Sequence, residues 1–241
     1  MKTQQTLQIL LGIALCILAL NCPARADGGF LDDFSDGDIQ DGSPVMWQWI
    51  PQLGPIGEQV VTPGGLALTA EGTAGTTRSW RFARDKHGMP VQYARNVSIR
   101  AQMKVPVDGP GDDTQNHSSV FLGLRFDMNQ GTGYWIALNS HYFWLARLGG
   151  PDVDPSPGKG YYSPWAWHYD SLGRVDFSQD VIVQLDITDL TDNTGHRSTS
   201  RLEARFWTAG SQMPEKAQII AHDSHFGLGE IGIGTSSIGR D

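Results

Sequence analysis

Cysteine is nearly absent from this chain: its 241 residues hold two, Cys16 and Cys22, both among the first 26. From Asp27 onward there is no thiol, which excludes disulfides and cysteine-ligated zinc there and leaves packing as the source of stability. Basic side chains are also scarce. Lys and Arg number 18 against 26 Asp and Glu, and without Lys2 and Arg25 the balance is 16 against 26. So acidic a chain argues against a nucleic-acid partner, whose phosphates demand positive charge. Only one long apolar run occurs, Leu7–Leu20, broken by Gln8. No membrane span is therefore expected beyond it. There is no long helical stripe, heptad pattern, internal repeat or low-complexity tail. The His-Glu-x-x-His and Gly-x-Ser-x-Gly signatures are missing as well, which removes the metalloprotease and nucleophile-elbow readings.

The apolar run has the length of a secretory leader's core, with Lys2 before it and Ala24-Arg25-Ala26 after it. The expectation is a leader over residues 1–26, cleavage before Asp27, and a single exported domain over 27–241, extracellular or periplasmic. A lipoprotein would use Cys22, but Asn21 is a poor residue to precede a lipidated cysteine.

What remains is rich in short alternations separated by glycine and proline. Val97, Ile99, Ala101, Met103 and Val105 take every second position, so a strand places them on one face with Ser98, Arg100, Gln102 and Lys104 on the other. The same holds for Val181, Val183, Leu185 and Ile187, and for Leu202, Ala204 and Phe206 against Glu203, Arg205 and Trp207. Further strands are predicted at Gly65–Ala70, Ser79–Ala83, Val120–Phe126, Tyr134–Asn139, Tyr142–Leu148, Gln218–Asp223 and Glu230–Gly234. Loops are predicted over Val107–Asn116, Gly149–Gly160 and Leu190–Ser200. Nine or ten strands in such a length predict an all-β fold, an antiparallel two-sheet sandwich.

Several segments together resemble the secreted bacterial domains of the concanavalin A-like lectin and glucanase superfamily. They are Leu31–Asp38 with Asp41–Trp47, Gly133–Leu138, Trp144–Leu148, Phe206-Trp207 with Met213-Pro214, and Asp223, Phe226, Gly229 and Gly232–Gly234. The resemblance implies a jelly roll with a concave sheet face, and implies fold more than activity. It also implies a structural calcium near the N-terminal strand. Asp36 and Asp38 are the candidate ligands, because calcium takes carboxylate oxygens from flexible loops. The alternative is a solvated turn whose aspartates cap backbone amides.

Glucanases of that superfamily carry Glu-x-Asp-x-Glu on one strand, which sets acid and nucleophile on the same face. That spacing does not occur here. Asp186 and Glu203 are the nearest substitute for an acid pair, but a cross-strand arrangement with Arg205 is the commoner use of such residues.

Aromatic density marks the candidate binding region. Ten aromatics fall between Tyr134 and Tyr169: Tyr134, Trp135, Tyr142, Phe143, Trp144, Tyr161, Tyr162, Trp165, Trp167 and Tyr169. A sugar ring offers an apolar C–H face to an aromatic plane and hydroxyls to polar neighbours. The first five lie in predicted strands and are expected to pack the sheets. Tyr161, Tyr162, Trp165 and Trp167 sit beside Gly160 and Pro164 in an expected loop, so with Arg147, His168 and Asp170 they form the candidate ligand site. The leading expectation is an exported, non-catalytic, lectin-like module for a polysaccharide or glycan. The alternatives are a structural or adhesive surface protein that binds another protein, and a glycoside hydrolase using Asp186 and Glu203. One expectation concerns the end of the chain: Thr235–Asp241 lack alternation, so a final strand should be missing and the strand at Phe30–Phe34 should keep an unpaired edge open to a partner strand.

Overall fold

In the computed structural model the described residues are 14–16, 31–32, 38, 45–49, 59–62, 65–68, 75–94, 96–105, 119–127, 132–140, 142–149, 162–169 and 176–239. They form sixteen strands and no helix, more strands than the alternations predict. In chain order these are β1 (Ala14–Cys16), β2 (Leu31–Asp32), β3 (Met46–Trp49), β4 (Gln59–Thr62), β5 (Gly65–Leu68), β6 (Gly75–Arg84), β7 (Gln92–Ala94) and β8 (Val97–Met103). There follow β9 (Ser119–Asp127), β10 (Thr132–Leu138), β11 (Phe143–Leu148), β12 (Tyr162–Tyr169), β13 (Val181–Thr191), β14 (Arg197–Thr208), β15 (Ile219–Asp223) and β16 (Leu228–Gly239).

The six-stranded sheet runs β15-β14-β13-β8-β1-β2 and the eight-stranded sheet β12-β11-β10-β9-β16-β6-β3, with β7 also on β16 and β4-β5 a separate hairpin. Every pairing is antiparallel. The fold is thus the antiparallel two-sheet sandwich that the alternations predict. The period of two is what joins the layers. Val97, Ile99, Ala101 and Met103 from β8, Val183 and Leu185 from β13, and Leu202 and Phe206 from β14 meet Leu122, Ile136, Leu145 and Ile233 of the other sheet in one core. Burying each of these side chains larger than alanine contributes about 1.5–3 kcal/mol.

Three segments depart from expectation. Tyr162–Tyr169 is a strand, β12, rather than a loop. Leu190–Ser200 is a tight hairpin, with β13 running to Thr191 and β14 starting at Arg197; Asp192 closes the turn by accepting from the backbone N–H of Thr194 and His196. Gly195 takes a φ of 83° there, a left-handed conformation open to glycine. Finally, β16 continues past Gly234 to Gly239 and pairs Thr235–Gly239 with Ser79–Gly75 of β6. The backbone ladder of β16 is paired on both edges as far as Ser236 and with β6 alone beyond it, so the segment holds its place through backbone pairing without alternation.

Leu31–Asp32, within the segment expected to keep an open edge, ends the six-stranded sheet. Among the described residues its only strand partner is β1. That edge is open. Phe30, Asp33 and Phe34 lie outside the described residues, as do 106–118, which hold the first predicted loop, and 150–161, which hold nearly all of the second. No helix of the described residues is long and apolar enough to cross a membrane.

Candidate functional site

The eight-stranded sheet carries a second apolar cluster on the face turned away from the core. Phe143 and Leu145 of β11 enter the core, so Trp144 and Ala146 stand on the opposite face. They join Trp80 and Phe82 of β6, Phe121 of β9 and Trp135 of β10 there, together with Phe126, which follows Arg125. Arg125 has a φ of 54°. The rings interlock: Trp80 lies 5.4 Å from Phe121 and 5.1 Å from Phe126, and Phe121 meets Trp135 edge-on at 4.7 Å. Such pairs add about 0.5–1.5 kcal/mol each beyond the area they bury. Small residues make room for them. A Cβ on Gly123 would fall 2.6 Å from the Phe126 ring, and one on Gly232 would fall 2.8 Å from that of Phe82.

Trp144 is the partly exposed member of this cluster. Its ring stands perpendicular to that of Trp135 at 6.0 Å, and its strand lies next to the edge strand β12. The register sets His168 opposite Trp144, Ala166 opposite Ala146, Trp167 opposite the core residue Leu145, and Tyr162 opposite Leu148 after an irregularity. The stretch expected to be a loop is therefore an edge strand. Trp165 also lies on β12, while Tyr161 and Asp170 fall outside the described residues.

Arg147, expected beside a sugar, is fully buried. It donates to Asp223 Oδ2 at 2.9 Å and also contacts His225 Nδ1. Tyr134 donates its hydroxyl to the other oxygen of Asp223 and accepts from the backbone N–H of Phe226. Burial, then the hydrogen bond to Asp223, pushes the Tyr134 phenol above its ordinary range. Nearby, Arg125 donates to Asp189, Ser200 and the Phe226 carbonyl. These groups fasten the β15–β16 connection to both sheets, a role in holding the layers together. A buried ion pair of this kind is costly to break from one side only.

On the six-stranded sheet, Asp186 and Glu203 are register partners. Arg205 bridges them, Nη1 to Asp186 at 2.7 Å and Nη2 to Glu203 at 3.1 Å, while Ser98 and Gln184 also donate to Asp186. This is the cross-strand charge arrangement weighed from the sequence. A catalytic pair needs one carboxyl aimed at a leaving oxygen and the other at the sugar carbon. Here both are engaged within the sheet.

The calcium expectation rests on Asp36 and Asp38, of which only Asp38 is among the described residues. Calcium takes six to eight oxygens, yet no three His, Cys, Asp or Glu side chains come together among the described residues. Asp38 is exposed. Aspartates do cap turns among the described residues. Asp85 accepts from the N–H groups of His87 and Met89, and Asp176 from that of Ser178.

No family model matches this chain, and no curated protein matches it. Among solved structures it is similar to the carbohydrate-binding module CBM66 from Bacillus subtilis, at 14% identity over 79% of this chain and 90% of that one, with a TM-score of 0.47.

Proposed function

We propose that this chain is an exported, non-catalytic carbohydrate-binding module that holds a glycan at the outer margin of the eight-stranded sheet, where Trp144 adjoins β12. One observation carries this reading. Trp144 is a partly exposed indole on a rigid bed of buried rings, outside the core that joins the sheets. A ring fixed in this way stacks on a sugar with little loss of side-chain freedom, the condition under which stacking yields net affinity. His168, in register beside it, supplies a hydrogen-bonding group, and Tyr162 and Trp165 lie on the same strand.

The test is a glycan array followed by tryptophan-fluorescence titration with the polysaccharides that score. Trp144→Ala is expected to weaken binding at least tenfold while leaving the thermal midpoint within a few degrees. Silence of the unaltered protein across a broad panel overturns the reading. A second reading, pairing with another protein, is favoured by the edge at Leu31–Asp32, which among the described residues is paired on one side only and would offer its other side to a strand. It predicts association in solution without any sugar.

A further inference from the structure

The face of the six-stranded sheet turned away from the core carries three side-chain rows that the reading above does not use. Ser98, Asp186, Glu203 and Ile220 form one row across β8, β13, β14 and β15. Arg100, Gln184 and Arg205 form the next, and Gln102, Ile182 and Trp207 the third. The rows are cross-linked. Arg100 donates to Gln184 at 2.8 Å and lies 5.5 Å from the centre of the Trp207 ring. Arg201 holds Glu203 from the outer side at 2.6 Å.

We infer that this face is a second glycan-contact surface, one that takes uncharged polyhydroxylated chains through Arg205, Glu203, Asp186, Gln184 and Arg100 beside Trp207. Arg205 is nine-tenths buried, and its Nε–H has no hydrogen-bond partner among the described residues. A buried N–H without an acceptor carries a desolvation cost, and a ligand oxygen removes it. Glu203 is the group placed to yield. Its bond to Arg205 is the longer of the two that Arg205 makes to carboxylates, and its side chain is 23% exposed against 13% for Asp186.

Within the three rows Arg100 and Arg205 balance Asp186 and Glu203, and Arg201, which holds Glu203, is offset by Asp180, which accepts from Gln102. A balanced face gives no attraction to a polyanion, whereas guanidinium donors beside carboxylate acceptors match hydroxyls, each of which both donates and accepts. Exposed Ile220, at the end of the first row, gives a sugar its apolar contact, while the Trp207 ring, only 6% exposed, backs Arg100.

This inference rests on the carbohydrate reading but not on its site, so two variants separate them. Calorimetric titration uses the full chain with a soluble α-glucan, β-glucan and β-mannan, and heparin as the charged control. Glu203→Gln is expected to weaken binding of a neutral glycan at least tenfold. Trp144→Ala should leave binding that is lost when the two changes are combined. Abolition by Trp144→Ala with no effect of Glu203→Gln overturns this surface and leaves the first site standing; no binding to any neutral glycan overturns both. Heparin bound more tightly than every neutral chain overturns the ligand class. If Glu203→Gln lowers the melting point by more than ten degrees, the unaltered protein decides, through the Arg205 Nε–H resonance. A shift of that resonance on adding the glycan supports the surface, and a fixed one overturns it.

Discussion

Tyr134 of β10 donates its hydroxyl to Asp223 of β15 at 2.5 Å, joining a strand of the eight-stranded sheet to the edge strand of the other. Tyr134→Phe removes the donor and leaves Asp223 to Arg147 and His225. The expected loss is about 1–3 kcal/mol, read as a lower urea midpoint at unchanged slope. An unchanged midpoint would show that the bond adds nothing. The raised phenol adds a pH dependence. Because its folded pKa lies above the ordinary value of 10.0, its contribution is complete below pH 10 and is lost as pH rises beyond it. Absorbance titration should show one tyrosine ionising later than the rest.

Gly123→Ala tests the outer cluster. The added methyl would sit 2.6 Å from the Phe126 ring and 3.2 Å from Trp80, and neither ring has an empty side to enter, since both are buried among neighbours. Overpacking of this sort costs about 1–3 kcal/mol. The thermal midpoint should fall by several degrees, with the change in near-ultraviolet circular dichroism that displaced tryptophans produce. Wild-type spectra and stability would show that the rings adapt freely.

Where a strand has one face in the core and the other outside it, the sequence displays its period, and β8, β13 and β14 were legible for that reason. The Asp186–Arg205–Glu203 arrangement was legible too, because cross-strand neighbours follow from register once the alternation is known. β12 was not. It contains Pro164, lies near Gly160, and sits at a sheet edge where pairing on one side tolerates a missing N–H. Arg147 misled for a different reason: its buried partner Asp223 lies 76 residues away, a distance over which no local pattern reports. The outer cluster was hidden because Trp80, Phe121, Trp135 and Trp144 come from four strands whose other faces also enter a core.

Three turn aspartates should titrate low. Backbone amides of Met89 and His87 lower Asp85, the Ser178 hydroxyl and amide lower Asp176, and the Thr194 hydroxyl and amide lower Asp192. A depressed carboxylate contributes stability that is present above its ordinary value of 3.8 and is lost as pH falls through the folded value. Carbon-detected NMR titration should give midpoints for all three below those of free aspartate. Midpoints at or above the ordinary value would show that the caps do not persist in solution.

Trp167 and His168 are adjacent in sequence, and the pairing with β11 gives them opposite expectations. Trp167 stands in register with Leu145, which is fully buried in the core between the sheets, and His168 with Trp144 on the outer face. The two-residue period of a strand predicts the same distinction for Trp167 and His168. Trp167→Ala should therefore behave as a core truncation, costing about 3–5 kcal/mol and lowering the melting midpoint before any sugar is added. His168→Ala should leave the midpoint nearly unchanged and weaken glycan binding severalfold, since it removes a hydrogen-bonding group beside the proposed stacking ring. Both are read on the same samples, by calorimetric melting and by fluorescence titration. The reverse pattern, a stable Trp167→Ala that no longer binds and a destabilised His168→Ala, would mean that β12 pairs one residue out of this register. The sugar platform would then belong to Trp167 itself.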